Sequence, residues 1–234
     1  MTSQAKTQAD RKPLSRERVL SAAIEIADRG GLEALTMRGL ADHLGVEAMS
    51  LYYHLANKEA ILDGVVDALM MEIEEEIGGF DLSEQIDDWR AETRRRVLGA
   101  RRVMMRHKWA PSVFESRTKI SPAVIFHMNA LLGIMVEGGF SYDLAHHAMH
   151  ALGSRALGFS QELFEPDTAQ PEDENDESLA EMAEHVPYIV AMLAEIVHDD
   201  PDDTLGWCDD ETEFNFALDL LLDGLENRRL AESG

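Results

Sequence analysis

Few residues of this 234-residue chain are placed to do covalent chemistry. Cys208 is the only cysteine, so no intrachain disulfide can form and no thiolate cluster can hold zinc, which fits a reducing, cytoplasmic setting. His146 and His150 stand at i, i+4 on one helix face beside His147. Two histidines without a nearby third ligand do not make a metal site, and no metal or cofactor is expected. No nucleophile–base pair or Gly-rich phosphate loop is visible, and most acidic residues of the C-terminal half fall in loops. A metal hydrolase built from the Asp, Glu and His residues therefore has no support, and an enzyme is not expected. The chemistry that the spacing does support is non-covalent. Residues 35–62, LTMRGLADHLGVEAMSLYYHLANKEAIL, place Leu40, Ala41, Leu44, Val46 and Leu51 as the inward faces of two short helices. The small Ala41 lets them approach, and Gly45 suits the positive φ of a tight turn. A helix-turn-helix of this kind can insert one helix into the DNA major groove.

The surrounding elements must position that pair. Residues 1–14 are polar and read as a flexible arm carrying Lys6, Arg11 and Lys12. Ser15 is an N-cap for a helix with apolar residues at Val19, Leu20, Ala23, Ile24 and Ala27, which Gly30-Gly31 stops. Thr36 caps the second helix, and the third runs to about His54. Asn57, with Glu59 in the first turn, opens a longer helix to about Ile77. Residues 15–62 thus form the helix-turn-helix domain, and 63–234 form a larger helical domain joined to it by the linking helix. In that second domain, helices are expected at about 83–105, just after Pro111, from Ser121-Pro122 to Glu137, at 141–164, after the capping box at 178–181, and at 210–228. Residues 165–177 and 199–210 read as acidic loops. No strand-like alternation or internal repeat is present, so the fold class is all-α.

The net charge of −24 is unexpected for a DNA binder. Its distribution resolves the conflict: the first sixty residues hold eight basic and eight acidic side chains, and between Ala156 and Asn227 there is no Lys or Arg. A neutral head on a DNA-repelling body is one reading, and solubility or a salt-adapted proteome is the other. No apolar run is long enough to span a membrane.

RERVLSAAIEIADRGGLEALTMRGLADHLGVEAMSLYYHLANKEAIL resembles the DNA-binding domain of the TetR (tetracycline repressor) family of bacterial regulators. VEGGFS around Gly139 and the long last helix resemble the ligand-binding domain of tetracycline repressors. The resemblance implies a ligand-responsive, DNA-binding transcriptional regulator, most simply a repressor released from its operator by a small molecule. An activator of the same fold, or a helical interaction protein that does not bind DNA, are the alternatives.

The resemblance also assigns roles. Thr36 and Arg38 at the start of the second helix can reach a phosphate or base edge. The third helix becomes the recognition helix, exposing Glu47, Ala48, Met49, Ser50, Tyr53 and His54. Tyr52 and Tyr53 can offer hydroxyls to phosphates while their rings pack, and Lys58 adds a charge. Ala48 and Met49 suit thymine methyls. Two such heads on a two-fold axis would read half-sites about 34–36 Å apart in double-stranded operator DNA. The final helix, with Phe214, Phe216, Ala217, Leu218, Leu220, Leu221, Leu222 and Leu225, is apolar on most sides. With the small residues of the helix at 141–164, it points to a homodimer bundled through helices at about 141–164 and 210–228.

The helix at 123–136 is apolar almost all round and is expected to be central and buried. Met104, Trp109, Phe114, His127, Asn129, Leu131, Met135 and Phe159 are the expected lining of a small-molecule site. Tetracycline repressors hold their drug through a magnesium ion bound by a histidine. Phe114 stands at that position here and Glu162 where a carboxylate binds the metal's water, so tetracycline is not the expected inducer.

Overall fold

Side-chain caps set most of the helix starts. Ser15 Oγ accepts from the Arg18 amide at 3.3 Å and opens α1, Arg16–Ala34. Thr36 Oγ1 accepts from Gly39 at 3.0 Å and opens α2, Met37–Leu44. Gly45 then takes a left-handed φ of 66°, which a residue with a Cβ adopts at a cost, and the chain turns into α3, Ala48–Tyr52. Asn57 caps α4, Lys58–Glu76, by accepting from Ala60 at 2.8 Å. The computed structural model describes residues 13–79, 86–158, 185–188, 190–191 and 210–233.

Two expectations for this region are corrected. Gly31 breaks α1 with a φ of 74°, but the chain resumes helical geometry as far as Ala34, so the glycine pair kinks the helix rather than ending it. The third helix stops at Tyr52, and Tyr53 and His54 lie in a turn held by the Leu51 carbonyl.

Asp88 caps α5, Trp89–Arg106, by accepting from two amides, and Ser121 caps α7, Pro122–Glu137; between them lies α6, Ala110–Ser116. The fifth helix begins later than residue 83 because Asp88 supplies the cap, residues 80–85 lying outside the described ones. Helix α8 covers Tyr142–Gly158, and α9 covers Asp210–Ser233, one turn beyond the expected end. Phe159, Glu162, Cys208, the expected helix end at 159–164, the loops at 165–177 and 199–209 and the capping box at 178–181 lie outside the described residues. Among the described residues there is no strand, and no helix is long and apolar enough to cross a membrane.

The chain divides into two compact units, Met1–Ser160 with Glu232–Gly234, and Gln161–Ala231. In the first, one hydrophobic cluster runs from Val19, Leu20 and Leu40 through Leu51, Ile61 and Val65 to Ile73, Val103 and Val113. Helix α4 is its spine, packing on α1, α5, α6 and α7. Helices α5, α7 and α8 pack on one another, with Trp89 edge-on to Phe140 at 4.6 Å.

Helix α7 is not buried all round. Ala130, Ile134 and Met135 are buried, whereas Ile125, Phe126 (73% exposed) and Asn129 face outward. Its apolar circumference exceeds what three packed neighbours cover. In the second unit, Phe214, Leu218, Leu222 and Leu225 form a buried stripe along α9, while Phe216 and Leu220 are exposed.

Candidate nucleic-acid interface and ligand cavity

Leu51 and Leu55, both buried, fix α3 and the turn after it to the core, so the opposite face must point outward. That face carries Glu47, Ala48, Met49, Tyr52, Tyr53 and His54, all exposed, with Ser50 at its edge. Tyr53 is 88% exposed, Met49 69% and Tyr52 45%, far more than folding requires of large apolar rings and chains. The reading of Tyr52 as a packed ring is thus met only in part. Arg38 is exposed with no partner among the described residues. Thr36 spends one lone pair on its cap and keeps its O–H to donate. Lys58 has a partner within the chain: its ammonium donates to the Leu32 carbonyl at 3.4 Å, tying the start of α4 to the end of α1. That bond is long enough to yield to a phosphate.

Opposite charges zip α4 to α5. Arg102 meets Glu76 at 2.7 Å, and Arg106 meets Glu72 at 2.8 Å and Glu76 at 3.1 Å. These bonds hold the Glu76 carboxyl below its usual range, Arg102 first and Arg106 second. A second polar junction joins α1 to the α5–α6 connection. Asp28 Oδ1 accepts from Trp109 Nε1 and meets His107 Nδ1, both at 2.7 Å, and His107 Nε2 meets Glu72 Oε2 at 3.1 Å.

Between α4, α5, α7 and α8 lies a cavity of about 320 Å³. Val66, Met70 and Ile73 of α4, Val97, Ala100 and Met104 of α5, and Met149, Leu152 and Gly153 of α8 make three of its walls. Phe114, Ile120, Val124, Met128 and Leu131 complete the apolar surface, and Arg96, Arg117, Lys119 and His127 are its polar members. Of the expected lining, Met104, Phe114, His127 and Leu131 are present. Trp109, Asn129 and Met135 are not: Trp109 is turned toward Asp28, Asn129 faces outward, and Met135 is sealed in the core. Phe159 is outside the described residues.

Arg96, 1% exposed, was not anticipated, because nothing in RRRVLGARR separates one arginine from its neighbours. Burial pushes its pKa down, and Glu74 and Glu92 oppose that shift, so a guanidinium remains charged in an apolar wall. It donates to Glu92 at 3.2 Å and to the Gly79 carbonyl at 3.1 Å and lies 3.7 Å from Glu74, which also meets His127 Nδ1 at 2.7 Å. Burial also works against the charge on Arg117, but its bonds to Asp63 and Glu59 outweigh burial and raise its pKa. Those bonds, 2.9 Å to Glu59 and 3.1 Å to Asp63, link the cavity wall to the first turns of α4.

Among its described residues this wall offers no seat for a magnesium–drug complex. Phe114 lines it where the resemblance implies a metal-binding histidine, no described carboxylate lines it, and His127 is bonded to Glu74. Among the described residues no group of three or more metal-capable side chains is assembled.

Residues 19–65 match the family model "Bacterial regulatory proteins, tetR family", and residues 83–229 match "Tetracyclin repressor-like, C-terminal domain". Tetracycline repressor protein class C of Escherichia coli is 28% identical over 217 residues, 93% of each chain. The HTH-type transcriptional repressor DrrR1 of Streptomyces coeruleorubidus is 28% identical over 91% of this chain and 77% of its own. A solved structure of a possible TetR family transcriptional regulator from Streptomyces coelicolor A3(2) has a TM-score of 0.70 at 26% identity, covering 91% of this chain and 99% of that one.

Proposed function

The chain belongs to the TetR family of bacterial transcriptional regulators, and on that premise we propose that it is a cytoplasmic, homodimeric repressor released from its operator by a small molecule held in the cavity. The observation that carries this reading is the double duty of α4. Its Ile61, Leu62 and Val65 belong to the core that seats α3, while its Val66, Met70 and Ile73 line the cavity. A ligand that favours a different position of α4 moves the recognition helix with it.

In this reading residues 15–62 are the reading head and 63–234 the effector and dimerisation domain, paired through helices at about 141–164 and 210–228. Thr36, Arg38, Tyr52, Tyr53, His54 and Lys58 hold phosphates or base edges, and Glu47, Ala48, Met49 and Ser50 face the groove floor. Two heads then sit in successive major grooves about 34–36 Å apart. Release follows from a difference in ligand affinity between the DNA-bound and free conformations, a coupling of about 1–3 kcal/mol in typical cases.

A mobility-shift titration of the full chain on the DNA upstream of its own coding region tests the reading. A shift at low salt that weakens with added salt is expected. No protein-dependent shift across that DNA refutes the regulator reading for this chain.

A further inference from the structure

The charged side chains in the cavity wall are all of one sign. Among the described residues Arg96, Arg117 and Lys119 line it, with His127 beside them, and no Asp or Glu does, in a chain with 45 acidic and 21 basic residues. The carboxylates that balance these groups stand behind them. Glu59 and Asp63 are 70% and 60% exposed on the solvent side of Arg117, whose own side chain is 11% exposed. Glu74 reaches both Arg96 and His127 from outside the lining. Arg96 and Arg117 therefore line the cavity while the carboxylates that they meet do not, and apolar walls screen poorly there. Lys119, on the connection between α6 and α7, has no partner among the described residues. Methionines Met70, Met104, Met128 and Met149 supply a deformable apolar surface beside these cations.

We propose that the cavity takes an apolar organic anion whose acidic group is received by Arg117 and Lys119 while its body lies among the methionines. This rests on the reading of the cavity as the effector site and adds the class of effector.

Two dyes of nearly the same shape test it on the full-length protein: 8-anilinonaphthalene-1-sulfonate, an anion, and N-phenyl-1-naphthylamine, its neutral counterpart. Fluorescence titration is expected to show the anion binding at least tenfold more tightly. Lys119→Gln, which breaks no bond among the described residues, is expected to lower that preference about threefold, and Arg117→Gln with Lys119→Gln to abolish it. The neutral dye's affinity stays within twofold in both variants. Ala100→Trp, which fills the cavity, is expected to weaken both dyes at least tenfold. If the neutral dye binds as well as the anion, or the preference survives both substitutions, the anion assignment is overturned while the cavity remains a ligand site. If Ala100→Trp leaves both dyes bound, the cavity is not the effector site, and both readings fall.

Discussion

Asp28 is the test of how firmly the head is tied to the rest of its unit. Its Oδ1 serves two donors, the indole N–H of Trp109 and Nδ1 of His107, each at 2.7 Å. His107 is 8% exposed, so after Asp28→Ala its Nδ1 has no water to replace the carboxylate. Leaving such a buried polar group unmet costs about 1–3 kcal/mol. Trp109 is half-buried and its N–H can turn to solvent, which limits its share to about 0.5 kcal/mol. The expected loss is therefore about 1–3.5 kcal/mol, read as a shift in urea midpoint at fixed protein concentration with the slope unchanged. Asp28→Asn keeps an acceptor oxygen at nearly the same volume and should lose less than half as much. Trp109→Phe should lose about 0.5 kcal/mol, and little more once Asp28 is already Ala, because the pair shares one bond. A loss below about 0.5 kcal/mol for Asp28→Ala, or equal losses for Ala and Asn, would refute the argument that this carboxylate carries the junction.

Replacing Tyr53 and Lys58 together by Ala should weaken operator binding at least tenfold in a mobility-shift titration and leave thermal stability within about 1 kcal/mol of the parent; unchanged affinity would mean that the DNA-facing surface lies elsewhere. A Cβ on Gly99 would overlap the Cγ2 methyl of buried Ile77 at the α4–α5 crossing, so Gly99→Ala should destabilise by about 1–3 kcal/mol despite its better helix propensity. The bond from Arg95 to Glu92, helped by Arg96, holds the Glu92 carboxyl below its usual 4.5, so its stabilisation is complete above that pH and is lost as pH falls through the lowered value. The stability difference between the parent and Glu92→Gln should accordingly shrink as urea midpoints are taken from pH 6 to pH 3, and a constant difference would contradict the pairing. Phe216 and Leu220 are exposed on α9, and changing both to Asp should shift the proposed dimer to monomer in sedimentation without unfolding it.

Residues 35–62 were readable because a helix-turn-helix is a local object. The cap at Thr36, the left-handed Gly45 and the buried Leu40, Leu51 and Leu55 are set by neighbours within a few positions. The same holds for the caps at Ser15, Asn57 and Ser121 and for the exposed face of α3, which follows once its buried face is known. All-helical architecture and membership of the family were legible for this reason.

The cavity was legible only in part. Met104, Phe114, His127 and Leu131 were recognisable as apolar or polar exceptions on helices, yet Trp109, Asn129 and Met135 carried the same signature and point elsewhere. Periodicity says that a helix has an apolar face, not which neighbour meets it, so α7 could be expected in the core and still leave Phe126 outside. Charge signals fail in the same way. The arginines of α5 name no partner in the sequence, and only the packing of α5 against α4 shows Arg102 and Arg106 bound to glutamates and Arg96 in the wall of a cavity.

The sequence by itself determined the local elements, the kind of head they build and the family, because hydrogen-bonded caps and 3.6-residue spacing act over one or two turns. Tertiary structure alone decided which side chains share a space. The glutamates of α4 lie roughly twenty to thirty residues before the arginines of α5 that they meet, Arg117 lies more than fifty from Glu59 and Asp63, and Asp28 some eighty from His107 and Trp109. Contacts between residues so far apart depend on how helices cross, and so the positive wall of the cavity is a property of the fold and not of any segment within it.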